Sequence, residues 1–317
     1  MSRLDARSVM VRNEADKLPL VRELDVSVVI PTYNSAGFLA RTLESVALAA
    51  ADLSFEIVVV DDKSADAKDL AALVSRTAHC RLIEKSIKTN AADSRNLGFL
   101  VCRGRYVQFL DSDDLLRANT LKSRIEALES TEADFLVSGF IEGGRQASAG
   151  FPSNCKLVGD GRAYLFESGA DVRSSTLLLR RSSFSATFDR AFAKHQDWAF
   201  FIQSLDLNLS FVYRDEPDVE INDNRHGRMS SSFNLQASEY FLNSFSLTGA
   251  QLTNFSSRHL RLSIHKTDFP SFAFYASRIQ GARQLSHFVI GLSKSQLYQR
   301  LCFMLLVSTS KILQWSR

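Results

Sequence analysis

Short apolar runs, each closed by a polar cluster, alternate with stretches of helical spacing through the first half of the chain. Residues 26–30 (VSVVI), 55–60 (FEIVVV), 81–84 and 106–110 (YVQFL) read as strands, being short and rich in β-branched and aromatic residues. Helices are predicted over 38–50, on the stripe Leu39, Leu43, Val46 and Ala50, over 66–77 on Leu70, Leu73 and Val74, and over 91–102 and 115–129. A further strand falls at 134–142. Such alternation predicts βαβ crossovers and an α/β fold built on a mostly parallel sheet with flanking helices. After a Gly/Ser-rich break at 139–154 the pattern turns mixed: a helix at 162–167, a strand at 176–180, a helix at 195–206 opened by HQDW, and a strand at 209–213. From Leu235 onward the chain reads helical, without internal repeats. Residues 297–315 are strongly apolar with interleaved basic residues, a pattern that suits core packing and membrane-surface contact equally.

At 317 residues and 45% hydrophobic, the chain suffices for one large domain or a domain with an extension. Residues 1–25 balance five basic against five acidic residues and read as a flexible lead-in without a signal peptide. No stretch approaches the roughly 18 apolar residues of a membrane span. The 4 cysteines form no CxxC pair, which points to a reducing compartment and away from structural zinc. From Arg258 onward there are nine Lys/Arg against the single acid Asp268, a net +8 that leaves −5 for the rest of the +3 chain. Such a tail implies an anionic partner or a solvated helix face.

The chemistry concentrates at strand ends. Asp111-Ser112-Asp113-Asp114 follows the 106–110 strand, and residues two apart in a strand share a side, so Asp111 and Asp113 are expected to converge beyond its carboxyl end. Ligands of open α/β sheets bind there, and paired carboxylates suit Mg²⁺ or Mn²⁺. Asp114 reads either as a further ligand or as the cap of the next helix. The tips PTYN, DDKS and DSDD should lie side by side, with Tyr33 placed to stack on a base and Asp62 to accept from its N–H edge. The plainer alternatives are a turn aromatic for Tyr33 and turn caps for Asp62 and Ser64. Arg95 suits either a phosphate or a surface carboxylate. Asp197 suits either proton abstraction or the favourable first turn of a helix. Neither GxxxxGK[ST] nor GxGxxG is present, which excludes a P-loop and a dinucleotide-binding turn.

VSVVIPTYN, EIVVVDDKS, SRNLG, GRYVQFLDSDD and, some eighty residues later, HQDW stand in an order that closely resembles the family 2 glycosyltransferases over about residues 26–228. The resemblance implies a GT-A (Rossmann-like) fold at 26–234, divided into a nucleotide-sugar half (26–142) and an acceptor half (143–234), with a basic helical extension at 235–317. It implies that Pro31, Tyr33 and Asp62 hold the nucleoside, usually uridine, with Thr32, Asn34 and Ser64 beside them as donor-binding residues. Arg95 then matches the basic residue near the diphosphate, Asp111 and Ser112 contact the donor, Asp113 binds the divalent Mn²⁺ or Mg²⁺, and Asp197 is the catalytic base. His226 is similar to a late residue that reaches the metal or diphosphate in some members. Two departures stand out: Gln196-Asp197 where members commonly read Glu-Asp, which bears on acceptor chemistry, and Lys63 at an often small position, which would add charge near the nucleotide. The implied activity is inverting transfer from a nucleotide-diphosphate sugar, usually UDP-linked, to a glycan or lipid-linked acceptor in surface polysaccharide synthesis. The basic apolar tail suits peripheral attachment to the cytoplasmic face of a membrane with anionic lipids. Two rivals are a catalytically inactive nucleotide-sugar-binding protein and a phospho-acceptor signalling domain, the latter leaving half the chain unexplained. Nucleic-acid binding is excluded by the acidic site and the lack of a base-stacking module.

Overall fold

The computed structural model describes residues 23–147, 151–185, 187–222, 233–279 and Met304. His226 and, apart from Met304, the 297–315 segment lie outside these.

Strands β1 (Leu24–Thr32), β2 (Phe55–Asp61), β3 (Cys80–Glu84) and β4 (Gly104–Phe109) pair in parallel in the order β3-β2-β1-β4. Helices α1 (Ala36–Ala49), α2 (Ala67–Val74) and α3 (Ala91–Val101) make the crossovers. The order reverses between β1 and β4, a topological switch point, and ligands of such sheets bind outside the carboxyl ends there. The sheet continues through β9 (Leu177–Arg180), β6 (Phe135–Glu142) and β10 (Phe211–Ile221) to the two-residue β5 (Leu115–Leu116). β9 is inserted antiparallel between β4 and β6, whereas β6 and β10 are parallel. β7 (Arg145–Ala147) and β8 (Lys156–Leu157) add short antiparallel edges.

Alternation of side chains explains the unbroken apolar strands. Val28, Ile30, Ile57 and Val59 face one core with Leu39 and Val46 of α1, Leu70 of α2, and Leu121 and Leu128 of α4 (Thr120–Thr131). Val29, Val58 and Phe109 face the opposite core, with residues of α5 (Gly161–Phe166), α6 (Gln196–Asp206), α7 (Leu235–Ser244), α8 (Gly249–His265) and α9 (Phe269–Ala276). Both sheet faces are thus covered, as parallel sheets require. The helices at 235–279 share this second core: Phe241 of α7 stacks on Phe255 of α8 at 5.5 Å and meets Phe192 and Phe166 at 6.0 and 6.3 Å. Side-chain caps start several of these helices, including Asn234 on Ala237 N (3.0 Å) and the Thr248/Gln251 capping box. Among the described residues no helix is long and apolar enough to cross a membrane.

Two expectations differ from the structure at 115–129. Leu115 and Leu116 do not open a helix but pair with Glu220 and Val219 of β10, and the helix starts at Thr120 after the left-handed Asn119 (φ 61°). Asp114 accordingly caps nothing. Its buried carboxylate accepts from Ser175 Oγ (2.6 Å) and Asn222 N (3.0 Å) instead, tying the acidic turn to the turn before β9 and to the end of β10.

Candidate active site

The carboxyl ends of β1, β2 and β4 lie side by side. Asp111–Asp114 form a turn, closed by Asp114 N donating to Asp111 O at 3.1 Å, so Asp111 and Asp113 come to the cavity on a turn and not through strand alternation. The turn is braced from several directions. Thr42 Oγ1 donates to Ser112 O (3.0 Å), Asp111 N donates to Ser175 Oγ (3.0 Å), and Gln108 Nε2 donates to Ser175 O (2.8 Å).

These tips open into a cavity of about 700 Å³, bounded on the far side by the start of α6 and by α8. Pro31, Thr32, Tyr33, Asp62, Arg95, Asp111, Ser112, Asp113 and Asp197 all line it. Asn34 and Ser64 do not. They lock the two loops together: Asn34 N donates to Ser64 Oγ (2.9 Å), and Asn34 Oδ1 accepts from Ala65 N (2.8 Å). Lys63 is also absent from the lining, and its φ of 64° gives a conformational reason why a small residue suits that position. Lys88 instead lines the cavity beside Tyr33 and Asp62. Its ammonium sits 3.1 Å from the centroid of the Tyr33 ring and 3.2 Å from Asp62 Oδ2. Asp62 also accepts from Thr89 N (2.8 Å) and Lys85 (2.9 Å). Burial pushes its carboxyl up, but Lys85, the Thr89 N–H and Lys88 together hold it below the usual carboxylate range.

Arg95 sits on α3, which packs so tightly on β1 that a Cβ at Gly98 would collide with Val29 Cγ1. The neighbouring Asn96 clips the 187–188 segment to α3, accepting from Phe188 N (2.8 Å) and donating to Phe188 O (2.6 Å). Arg95 reaches Asp111 Oδ1 at 2.5 Å and Gln196 Oε1 at 3.1 Å, while Gln196 Nε2 donates to Phe192 O at 2.8 Å. An amide satisfies both partners. A glutamate would set a carboxylate oxygen against the Phe192 carbonyl and divide the Arg95 charge between two anions. The departure at 196 therefore acts on Arg95.

Asp197 lies in the first turn of α6, behind the left-handed His195 (φ 59°). Burial and the nearby Asp171 raise its carboxyl, Arg173, the Trp198 N–H and Arg95 oppose them, and the result is about 6. Asp171 is held by Arg173 (2.9 Å) and by Trp198 Nε1 (3.3 Å). Asp171, Arg173, Lys88 and Arg258 were not singled out from the sequence. They stand in no motif, and only tertiary packing brings them to the cavity.

The donor set suits a hard divalent cation. Burial first, and then the carboxylates of Asp111 and Asp113, push the Asp114 carboxyl up, so the turn concentrates negative charge beyond what Arg95 offsets. Among the described residues no group of three protein ligands forms. Two carboxylates completed by substrate phosphate and water are a usual setting for Mg²⁺.

Residues 27–193 match Glycosyl transferase family 2. The amylovoran biosynthesis glycosyltransferase AmsB of Erwinia amylovora is 30% identical over 209 residues, 62% of this chain and 69% of that protein. The succinoglycan biosynthesis protein ExoO of Rhizobium meliloti (strain 1021) is 38% identical over 122 residues, 38% of this chain and 33% of that protein. The Escherichia coli protein WfgD, named UDP-Glc:alpha-D-GlcNAc-diphosphoundecaprenol beta-1,3-glucosyltransferase, is 29% identical over 115 residues, 36% of this chain and 45% of its own length. The chain thus spans less than half the length of the latter two. In three dimensions it is similar to Staphylococcus aureus TarS crystallised with UDP-GlcNAc, with a TM-score of 0.58 at 19% identity over 81% of this chain and 82% of that one, a likeness of fold. The fold is GT-A, and the chain belongs to glycosyl transferase family 2.

Proposed function

We propose that this glycosyltransferase moves a sugar from a nucleoside diphosphate, with inversion, to a glycan or lipid-linked acceptor in bacterial polysaccharide synthesis. The observation that carries the reading is that one cavity is lined by Tyr33, Asp62, Arg95, Asp111 and Asp113 together with Asp197. In this reading the base stacks on Tyr33 and donates to Asp62, and UDP is the nucleotide favoured by the named relatives. Arg95 neutralises part of the leaving diphosphate, and the amide at 196 keeps its charge available. Asp113, with Asp111, would hold a Mg²⁺ or Mn²⁺ ion, which when bound supplies further charge neutralisation at the diphosphate. Asp197 takes the proton of the acceptor hydroxyl as that oxygen attacks from the face opposite the leaving group. With its carboxyl raised to about 6, Asp197 is ionised at neutral pH yet more basic than an ordinary aspartate. A non-catalytic binding role gains nothing from Gln196, whose amide is committed to Arg95 and Phe192. The reading includes peripheral contact of residues 297–317 with anionic membranes. Deleting them is expected to abolish sedimentation with anionic vesicles, and continued sedimentation would refute that part.

Calorimetric titration with UDP, with and without Mn²⁺, on the wild type and Asp113→Ala tests the donor site. A panel of UDP-sugars with a diphosphate-linked acceptor then tests transfer. Metal-dependent binding that Asp113→Ala abolishes is expected. Failure of every nucleoside diphosphate to bind would overturn the reading.

A further inference from the structure

Two guanidinium groups, Arg173 and Arg95, act on the Asp197 carboxylate, yet it bonds to neither. Its Oδ1 accepts from the Trp198 N–H at 3.0 Å, and among the described residues no cation forms an ion pair with it. Arg95 is turned to Asp111 and Gln196 instead. Arg173 is turned to Asp171 Oδ2 (2.9 Å) and Glu142 Oε2 (3.4 Å), both through Nη2, and its Cζ lies 5.5 Å from the centroid of the Phe140 ring. Burial lowers the Arg173 guanidinium, and the carboxylates of Asp171, Glu142 and Asp197 more than offset it, so Asp197 is a third acid within its field. Arg173 Nε is buried without a partner among the described residues, so the fork has a donor to spare. Asp171 uses its other oxygen, Oδ1, to accept from Trp198 Nε1 at 3.3 Å, which ties it to the first turn of α6. Asp171, Arg173, Asp197 and Trp198 line one cavity.

We propose that Asp171, helped by Glu142, is a positioning residue: it holds the Arg173 guanidinium away from Asp197 and so keeps that carboxylate free to take the acceptor's proton. The inference rests on the assignment of Asp197 as the base. A guanidinium bonded to Asp197 would occupy the oxygens that must receive the proton and would favour the ionised form, making it a weaker base. With the fork committed to Asp171, the same charge acts on Asp197 without a bond. One carboxylate thereby fixes both the cation and the residue next to the base. Besides Asp171, Arg173 and Arg95, the charged or titratable groups on the elements around the base are Lys194 and His195 ahead of α6, Arg258 and His259 on α8, and the acidic turn at 111–114. All of these line the cavity and stay in place in the variants below.

The test follows the acid limb of kcat/KM on the full chain, with the donor and acceptor that the UDP-sugar panel selects. Alongside it, carboxyl-carbon NMR follows the titration of Asp197 itself, its resonance identified by its absence in Asp197→Asn. Asp171→Asn should move the limb and the resonance titration down by about 1–3 pH units, the shift that a guanidinium brings to a carboxylate it reaches. Its plateau kcat/KM should fall by roughly tenfold or more, since the base is then occupied. Arg173→Gln should move both titrations up. The double variant Asp171→Asn/Arg173→Gln should return toward the wild-type limb and recover most of the plateau, because the released cation is gone. A cavity merely damaged by the loss of Asp171 would gain nothing from the second substitution. An unmoved or raised limb in Asp171→Asn overturns the proposal, and so does a double variant as slow as Asp171→Asn. A lowered limb with a full plateau also overturns it, leaving Asp171 as a nearby charge only. Should Asp171→Asn unfold, which a thermal melt reports, Glu142→Gln loosens the same guanidinium from its other partner and should move limb and resonance the same way by less. Should no sugar be transferred, or Asp197→Asn keep the full rate, the base assignment falls, while the NMR titrations still decide whether Asp171 holds Arg173 off.

Discussion

On the proposed reading Lys88 covers the two groups that would receive a nucleobase, the face of Tyr33 and the outer oxygen of Asp62. A base must displace it before stacking. The ammonium–ring contact at 3.1 Å is worth about 0.5–1 kcal/mol at an exposed site. The contact with Asp62 at 3.2 Å adds about 0.2–1 kcal/mol, since the lysine side chain is 44% exposed. Displacement therefore costs about 0.7–2 kcal/mol, or roughly a 3- to 30-fold loss in affinity for a ligand that brings only a base. Lys88→Ala should tighten uridine binding by that factor. Asp62 is not orphaned in the variant, because Lys85 and the Thr89 N–H remain. UDP behaves differently: the displaced ammonium gains the diphosphate as a new partner, so the variant should gain much less affinity for UDP, or lose some. Calorimetry with uridine and UDP on both proteins separates the two effects. Uridine affinity that is unchanged or weaker in Lys88→Ala would refute the displacement argument. An equal gain for uridine and UDP would remove the phosphate partner.

The remaining expectations concern the base and its supports. With the Asp197 carboxyl at about 6, kcat/KM should fall tenfold per pH unit below about pH 6, because the protonated acid accepts no proton; a flat profile down to pH 5 would remove Asp197 as the base. Asp197→Asn should lower kcat by about 10²–10⁴ and leave UDP affinity intact. Gln196→Glu should weaken UDP binding and cost about 1–3 kcal/mol of stability by setting a carboxylate against Phe192 O, read from urea unfolding midpoints; an unchanged midpoint would contradict the assigned amide orientation. Phe241→Ala empties the ring position shared by Phe166, Phe192 and Phe255 and should cost about 3–5 kcal/mol in the same assay.

The parts of the fold readable in advance are those where local pattern and burial agree. β1, β2 and β4 are apolar on both faces and end in polar tips, so strand, crossover and site location follow together. β10 was read only as far as Tyr213, because Arg214-Asp215-Glu216-Pro217-Asp218 is charged and carries a proline. It stays in the sheet through an irregular ladder with register shifts at Pro217, and its buried Asp218 pairs with Arg214 at 3.4 Å. Two-residue strands such as β5 have no pattern of their own and exist only through their partner. At the site, motif reading located the residues at strand tips but could not separate lining residues from braces. Asn34 and Ser64 fasten the β1 and β2 loops, and the helix-capping option for Asp114 gave way to bonds from Ser175 and Asn222. Lys88, Asp171 and Arg173 lie in unremarkable stretches, Arg258 is only the first of nine basic residues in the tail, and no spacing rule foretells which cations a cavity will collect.

The shared core beneath α6 also has a consequence for biosynthesis. A nascent chain emerges from its amino end, and the β1–β4 segments with Asp62, Arg95 and Asp113 are made before residue 120, ahead of Ser175 and Asn222, which brace the acidic turn. The rings that seat Trp198 of α6, Phe241 and Phe255, come 120 or more residues later. Once residue 222 is made the tips have all their braces while α7, α8 and α9 are still missing from the wall around Asp197, so on the proposed reading nucleotide recognition would mature before proton abstraction. A ribosome-bound intermediate would be a binder first and a catalyst only once α8 and α9 have docked.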